Sequence, residues 1–383
     1  MQVGDIARAY GAALRASCVL TPEQHSVLSA IERCRTAALG GHKFVCNHCG
    51  YTVPMYDSCR NRHCPTCQSL EQHRWIERRR ERTLPTPYFH VVFTLPAELR
   101  EIVLAHRELL FTMLMRAASE TLLTLAHDGK RLGATPAITM VLHTWTRELL
   151  FHPHVHAIVS AGGLRIDDQP RWVRGSDRYL FPVKVMAKLF RRLFRDTLLE
   201  AIESGLVTLP SGSCESAVRA ALFDKPWVVY VKAPFGGADQ VFNYLGRYTH
   251  RVGISNARIL RSNAVGVTFA TKHGRTCTLL QVEFLRRLLQ HVLPKGFHKI
   301  RHYGLCSASH VRLGTLERAR SLLNQRGDQQ QPESALAPAP QSWTECLLTL
   351  TGVDVLSCPR CATGRMIPQP LCDSRSPALN DTS

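Results

Sequence analysis

The sequence is short of acid: 30 Asp and Glu stand against 48 Lys and Arg over 383 residues, a formal charge of +18. That excess attracts polyanions, which makes nucleic acid the first partner to consider. The sequence also lacks any apolar run approaching the roughly 20 residues needed to span a bilayer. Its opening, MQVGDIARAYGAALRASC, lacks the basic start and sustained apolar stretch of a secretory signal, since Asp5 comes early. These absences argue against a membrane and for the cytoplasm. There is no internal repeat, so each segment has to be read on its own. Cysteine is not scarce. Fourteen are present, five of them between Cys46 and Cys67, and in a reducing compartment that crowding points to metal rather than disulfides.

Composition divides the chain into parts. Residues 1–70 hold the cysteine cluster and form an N-terminal helical and zinc-binding domain, and 71–84 are expected to be a basic helical linker, EQHRWIERRRE being helix-prone and charged. Residues 85–310 alternate strand-like runs with amphipathic helices. The remainder, 311–383, contains DQQQPESALAPAPQ, which lacks the aliphatic residues a core requires, and a polar ending that reads as disordered. Strands are predicted over 88–96, 137–145, 154–161, 227–234 and 266–271, where β-branched and aromatic residues gather. Helices are predicted over 98–127 and 184–204, where apolar residues recur at i, i+3, i+4 and i+7. This order predicts an α+β domain whose central, mainly antiparallel sheet is covered by helices.

CNHCGYTVPMYDSCRNRHCPTC contains two CxxC knuckles, Cys46 with Cys49 and Cys64 with Cys67. Four thiolates so spaced can converge tetrahedrally on zinc in a closed, structural site. Cys59 or His63 could replace one ligand, or bind a second metal with His42 or His48; the simple four-cysteine site is preferred. Arg60, Arg62, Arg74, Arg78, Arg79 and Arg80 around it suit phosphate contact, or form a solvated helix face. Cys358 and Cys361 are half of another such site. Cys346 and Cys372 could complete it, but nothing in the sequence fixes their geometry, and a second zinc is not expected.

FHPHVHAIVSAGG places His152, His154 and His156 at alternate positions, hence on one face of a strand. Imidazoles at His154 and His156 leave most of a divalent ion's coordination open to grip a phosphate oxygen. If 138–145 and 154–161 form a hairpin, His143 falls opposite the pair, as a third ligand or as an orienting partner. Alone, an HxH pair is more often structural. Further on, Gln240, Tyr244 and Tyr248 recur every four residues along one helix face. Such aromatics usually pack in a core, yet Lys232, Arg247, His250 and Arg251 surround these, and cationic neighbours help a phenol ionise as it attacks phosphorus. A tyrosine so placed could displace one DNA strand end and hold the other as a phosphodiester.

HVVFTLP, HPHVHAIVSAGGL and PFGGADQVFNYLGRYTHRVGISN together resemble the rolling-circle, two-tyrosine insertion-sequence transposases of the HUH kind, the IS-ninety-one family. SCRNRHCPTCQ resembles that family's N-terminal zinc-binding domain, and FLRRLLQHVLPKGFHKIRHYG its later region. The resemblance implies an HUH endonuclease fold, single-stranded DNA at transposon ends and target as partner, and magnesium or manganese on His154 and His156. It also implies Tyr244 and Tyr248 as nucleophiles that form a 5′-phosphotyrosine and leave a free 3′-hydroxyl. Gln240 and His143 compete as the further metal ligand, and Lys232, Arg247 and Arg251 are the expected DNA contacts. Two other functions fit parts of the pattern: a plasmid rolling-circle replication initiator or relaxase, with the same chemistry, and a non-catalytic zinc-dependent DNA-binding protein.

Overall fold

The computed structural model describes residues 1–67, 83–211, 214–232, 253–325, 342, 344–345, 348 and 352–371. The expected linker helix, the Gln-rich stretch, Gln240, Tyr244, Tyr248, Arg247, His250 and Arg251 lie outside the described residues. So do 372–383 of the polar ending, but 362–371, also expected to be disordered, are described and contain a strand, Met366–Pro370, paired with residues 42–46.

Two helices open the chain, α1 (Val3–Ser17) and α2 (Pro22–Arg33). At α2 the start is written in sequence: Thr21 Oγ1 accepts from the Gln24 amide at 3.3 Å, Gln24 Oε1 accepts from the Thr21 amide at 2.9 Å, and Pro22 occupies the first turn, where its missing N–H costs nothing. A short hairpin follows, β1 (Gly41–Cys46) and β2 (Thr52–Tyr56). The central region runs β3 (Tyr88–Thr94), α3 (Arg100–Ala105), α4 (Arg107–His127), β4 (Ala137–Trp145), β5 (Phe151–Ser160), β6 (Gly162–Arg165), β7 (Arg171–Arg174), α5 (Val183–Glu203), α6 (Glu215–Phe223) and β8 (Val228–Lys232). The later part comprises β9 (Ile259–Asn263), β10 (Gly266–Ala270), β11 (Thr276–Leu279), α7 (Gln281–Gln290), β12 (Ile300–Gly304), α8 (Ala308–Arg312), α9 (Thr315–Gln325) and β13 (Met366–Pro370).

The principal sheet has the order β12-β4-β5-β3-β8, and every neighbouring pair in it is antiparallel. Alternation along its strands sends Val91, Phe93, Val155, Ala157, Val159, Ile138, Met140 and Leu142 to one face, where α4 and α5 cover them. On α5 the buried side chains are Met186, Phe190, Phe194, Leu198 and Ala201, a single stripe at helical spacing. Phe190 meets Phe93 edge-on with ring centroids 5.0 Å apart and Trp227 at 5.1 Å. Full burial of each such ring contributes about 1.5–3 kcal/mol, so this layer holds the sheet flat against its helices and leaves the opposite face to carry other chemistry. α4 is 21 residues long and, by length and composition alone, apolar enough to cross a membrane, which the sequence reading did not anticipate. Twelve of its residues, Leu114 and Leu122 among them, are buried in this core, so its apolar character is that of a helix enclosed by protein.

Two expectations change. The strand predicted over 266–271 forms as β10, but in a separate three-stranded sheet with β9 and β11. The fifth strand of the principal sheet is instead β12, IRHYG, whose polar and half-buried residues carry no alternation to read. The N-terminal helices also do not close on themselves. Val3, Ile6, Leu14, Leu28 and Ile31 share one core with Phe269, Phe284, Leu285 and Leu288. Composition suggests a boundary near residue 70, yet apolar packing continues from the first 70 residues into 253–293.

Candidate functional site

The face of the principal sheet turned away from α4 and α5 carries the histidines. His154 on β5 pairs directly with His143 on β4 and with Thr94 on β3, confirming the expected hairpin. Directly opposed residues of antiparallel strands project to the same side. His143, His154 and His156 therefore gather with one ring nitrogen from each within 4.8 Å of the other two. Ring centroids are 4.3 Å apart for His143 and His156, 5.0 Å for His154 and His156, and 5.4 Å for His143 and His154.

Hydrogen bonds orient two of the three. Nδ1 of His154 donates to the carbonyl oxygen of His152 at 2.7 Å, which leaves the lone pair on Nε2. Nδ1 of His156 lies 2.8 Å from Nε2 of His90, whose ring is parallel to it at 5.0 Å. When His156 presents Nε2 as a ligand, its Nδ1–H donates to His90. Burial pushes His154 down to about 4 and His90 to about 4, and pushes His156 well below its ordinary value, each chiefly by desolvation of the charged ring. The rings are therefore neutral near pH 7, the form a metal takes. Neutral imidazole nitrogens so placed could hold a divalent cation and leave its other positions open to oxygen ligands. His90 is the residue that sequence reasoning missed. Its signal was present in HVVF, since on β3 it shares the face of Val92 and Thr94, the residues opposite His156 and His154.

Of the expected DNA contacts, Lys232 is described: it ends β8, exposed, directly opposite His90. Arg62 is exposed and donates to the carbonyls of Phe297 at 2.8 Å and Pro294 at 3.0 Å, which ties the N-terminal region to the loop before β12. His63, an alternative zinc ligand, accepts at Nε2 from the Leu293 amide at 3.2 Å and is buried.

The cysteines regroup. The two knuckles do not meet as Cys46, Cys49, Cys64 and Cys67. Cys64 and Cys67 join Cys34 and Cys59, and Cys46 and Cys49 join Cys358 and Cys361, each set with its sulfurs within 4.8 Å. In the first set Cys34 and Cys67 are 3.5 Å apart and Cys59 and Cys67 3.6 Å. Sulfurs sharing a tetrahedral zinc at about 2.3 Å stand about 3.8 Å apart, whereas a disulfide needs about 2.05 Å. The reason for the partition is local. β1 and β2 carry the first knuckle at the hairpin's far end, while Cys34 caps α2 and faces the turn of residues 59–67. Arg35 and Arg60, each directly after a clustered cysteine, adopt φ of 58° and 51°, a left-handed turn that non-glycine residues keep only where surroundings impose it. Donation from Cys59 and Cys64 holds the Cys67 thiol low, while the bonds of Cys64 with Cys59 and Cys67, and then burial, push Cys64 far up. Four thiols so close ionise together only around a cation.

Two family models match the chain: one described as "Putative transposase" over residues 137–312, and one described as "Transposase zinc-binding domain" over residues 6–95. The latter contains the whole of the Cys34, Cys59, Cys64 and Cys67 set, and structural zinc is the group that set fits. The chain is 42% identical over 380 residues to "Putative transposase y4qJ" of Sinorhizobium fredii, covering 96% of this chain and 94% of that one. It is 33% identical over 285 residues to "Transposase for insertion sequence element IS801" of Pseudomonas savastanoi pv. phaseolicola, covering 71% of this chain and 67% of that one. No solved structure matches. The chain belongs to the IS-ninety-one family of insertion-sequence transposases, with that family's zinc-binding domain at its N-terminal end.

Proposed function

We propose that this transposase acts in the cytoplasm on single-stranded DNA, cleaving it by tyrosine attack at the ends of the mobile element and at its target, in rolling-circle transposition. Tyr244 and Tyr248 are the nucleophiles. His154 and His156, with His143 rather than Gln240 as the further ligand, would hold magnesium or manganese, which supplies polarisation of a phosphate oxygen. His90 orients His156, and His152 fixes the tautomer of His154 through its carbonyl.

In the first step the phenolate oxygen bonds to phosphorus while the bond from phosphorus to the 3′ oxygen breaks. That oxygen takes up a proton, leaving a free 3′-hydroxyl and a 5′-phosphotyrosine. In the return step a 3′-hydroxyl attacks the phosphotyrosine, and the phenol is released. Each ester is exchanged for another of similar kind, so no external energy source is needed. Lys232, Arg247 and Arg251 would hold the strand by its phosphates.

One observation carries this reading: the described residues that flank the tyrosine-bearing segment, Lys232 and Gly253, both connect to the histidine face, the first directly and the second through His291 and Trp145. Lys232, at one end, is directly opposite His90. Gly253, at the other, sits so close to His291 that a Cβ there would stand 3.4 Å from the ring, and His291 lies against Trp145, which stacks on His143 with centroids 4.5 Å apart. Tyr248 is five residues from Gly253, within about 18 Å of it even at full extension.

The test is cleavage of labelled single-stranded DNA with manganese. The wild-type protein should form a protein-linked product, and the double variant Tyr244→Phe, Tyr248→Phe should form none. If the double variant nicks as well as its parent, the nucleophiles are assigned wrongly; if the wild type binds DNA but never cleaves it, the non-catalytic function is correct.

A further inference from the structure

We propose that Cys46, Cys49, Cys358 and Cys361 hold a second zinc ion, which fastens the C-terminal strand β13 to the N-terminal hairpin. Neither matched family model contains Cys358 or Cys361, because the two end at residues 95 and 312.

The sulfur geometry is that of a tetrahedral tetrathiolate. Cys46 and Cys361 stand 3.7 Å apart, as do Cys49 and Cys358, and all four are free of disulfides. Backbone amides converge on the same sulfurs. Those of His48 and Cys49 point at Cys46 Sγ, that of Arg360 at Cys358 Sγ and that of Gly364 at Cys361 Sγ, each at 3.4 Å. Amides so placed give the sulfurs the N–H···S contacts that fix a knuckle's two thiols toward one point. The two knuckles also turn alike: Gly50 after Cys49 has φ 68°, and Ala362 after Cys361 has φ 57°. At Gly364 a Cβ would stand 2.3 Å from Cys46 Sγ, so the second knuckle is seated against the first with no room for a side chain.

What holds β13 in place otherwise is slight. It runs antiparallel to β1, from His42 opposite Pro370 to Cys46 opposite Met366. Of its five residues only Met366 is buried, and Pro368 and Pro370 have no amide to donate. The enclosed cluster is Phe44, Cys46, Cys358 and Met366, with Tyr51, Val53, Leu356 and Cys361 packed on it. A core of that size, partly made of the thiols themselves, does not order a strand by apolar burial, and a structural metal supplies what is missing. Binding takes the four thiols to thiolates and releases their protons to solvent, with no change of oxidation state. Since Cys49 and Cys358 are 309 residues apart, the ion closes the chain end to end. The hairpin of β1 and β2 is thus complete only once the C-terminal knuckle has been made.

Metal content of the full-length protein, purified without added chelator, tests this. The wild type should carry two zinc ions per chain. Cys358→Ser, Cys361→Ser should carry one and become sensitive to protease at residues 352–371, while Cys64→Ser, Cys67→Ser loses the other ion. One zinc per wild-type chain, iron in place of zinc, or two zinc ions retained in the Cys358, Cys361 variant would overturn the proposal. Should that variant fail to fold, cobalt substitution of the wild type decides: two equivalents must each give the thiolate charge-transfer band of a tetrathiolate site, and a second equivalent without it refutes the assignment.

Discussion

Replacing His90 by Leu removes an acceptor and leaves in place the rings of His143, His154 and His156 proposed to hold the metal. His90 Nε2 lies 2.8 Å from His156 Nδ1, and both rings are buried, 3% and 8% exposed. Without that acceptor the Nδ1–H of His156 loses its 2.8 Å partner among largely buried rings, a penalty of about 1–3 kcal/mol. It can be relieved only by moving the proton to Nε2, which destroys the ligand. Loss of an orienting partner of this kind typically weakens a metal site by about 10–100-fold, or about 1.4–2.8 kcal/mol at about 1.4 kcal/mol per decade. The assay is manganese titration followed by paramagnetic resonance of the free ion, together with the manganese dependence of cleavage. The half-saturating manganese concentration should rise by that factor, while cleavage at saturating manganese returns close to the parent's rate. Unchanged affinity would refute the idea that His90 sets the tautomer of His156. A loss of rate that excess manganese does not restore would show that His90 acts on the DNA instead.

Further expectations concern the core, the acid response and the DNA surface. Phe190→Ala, which empties the space between Phe93 and Trp227, should cost about 3–5 kcal/mol, read as a lower urea midpoint; a shift under 1 kcal/mol would mean that the layer repacks. His291 is buried between Thr144 and the Leu149 carbonyl, and desolvation holds it down to about 3. Its folded value is below its unfolded one, so its contribution is complete above about pH 6.5 and stability falls as pH drops toward 3, by up to about 1.4 kcal/mol per pH unit. His291→Gln should flatten that acid limb in denaturation curves, and an unchanged slope would contradict the burial argument. Binding of single-stranded DNA should weaken steeply with salt, and Lys232→Ala should reduce the logarithmic slope by about 0.7; an identical slope would remove Lys232 from the DNA surface.

The candidate site was legible where chemistry followed strand periodicity. Alternating His152, His154 and His156 announced a strand face, and the position of His143 on the preceding run sufficed to set it opposite His154. The cysteine ligands were legible as residues but not as sets. Two CxxC pairs close in sequence suggest a single local ion, yet a knuckle fixes only two ligands, and the partners of Cys46 and Cys49 come from β13's side of the chain, across 309 residues. Cys34 carries no CxxC spacing; only its place at the end of α2 brings it in. β12 was hidden because its residues are half-buried and polar, so its pairing with β4 answers to the sheet's open edge rather than to its own pattern.

The central claim is that a phenol from the segment between Lys232 and Gly253 attacks DNA held at the histidine face. Mass spectrometry of the covalent adduct trapped on a single-stranded oligonucleotide tests it most directly, since it identifies the attached residue and the polarity of the bond together. The account predicts a phosphotyrosine at Tyr244 or Tyr248 carrying the 5′ phosphate, with the other fragment ending in a 3′-hydroxyl. Attachment through any other side chain, or a linkage to the 3′ phosphate, would contradict it.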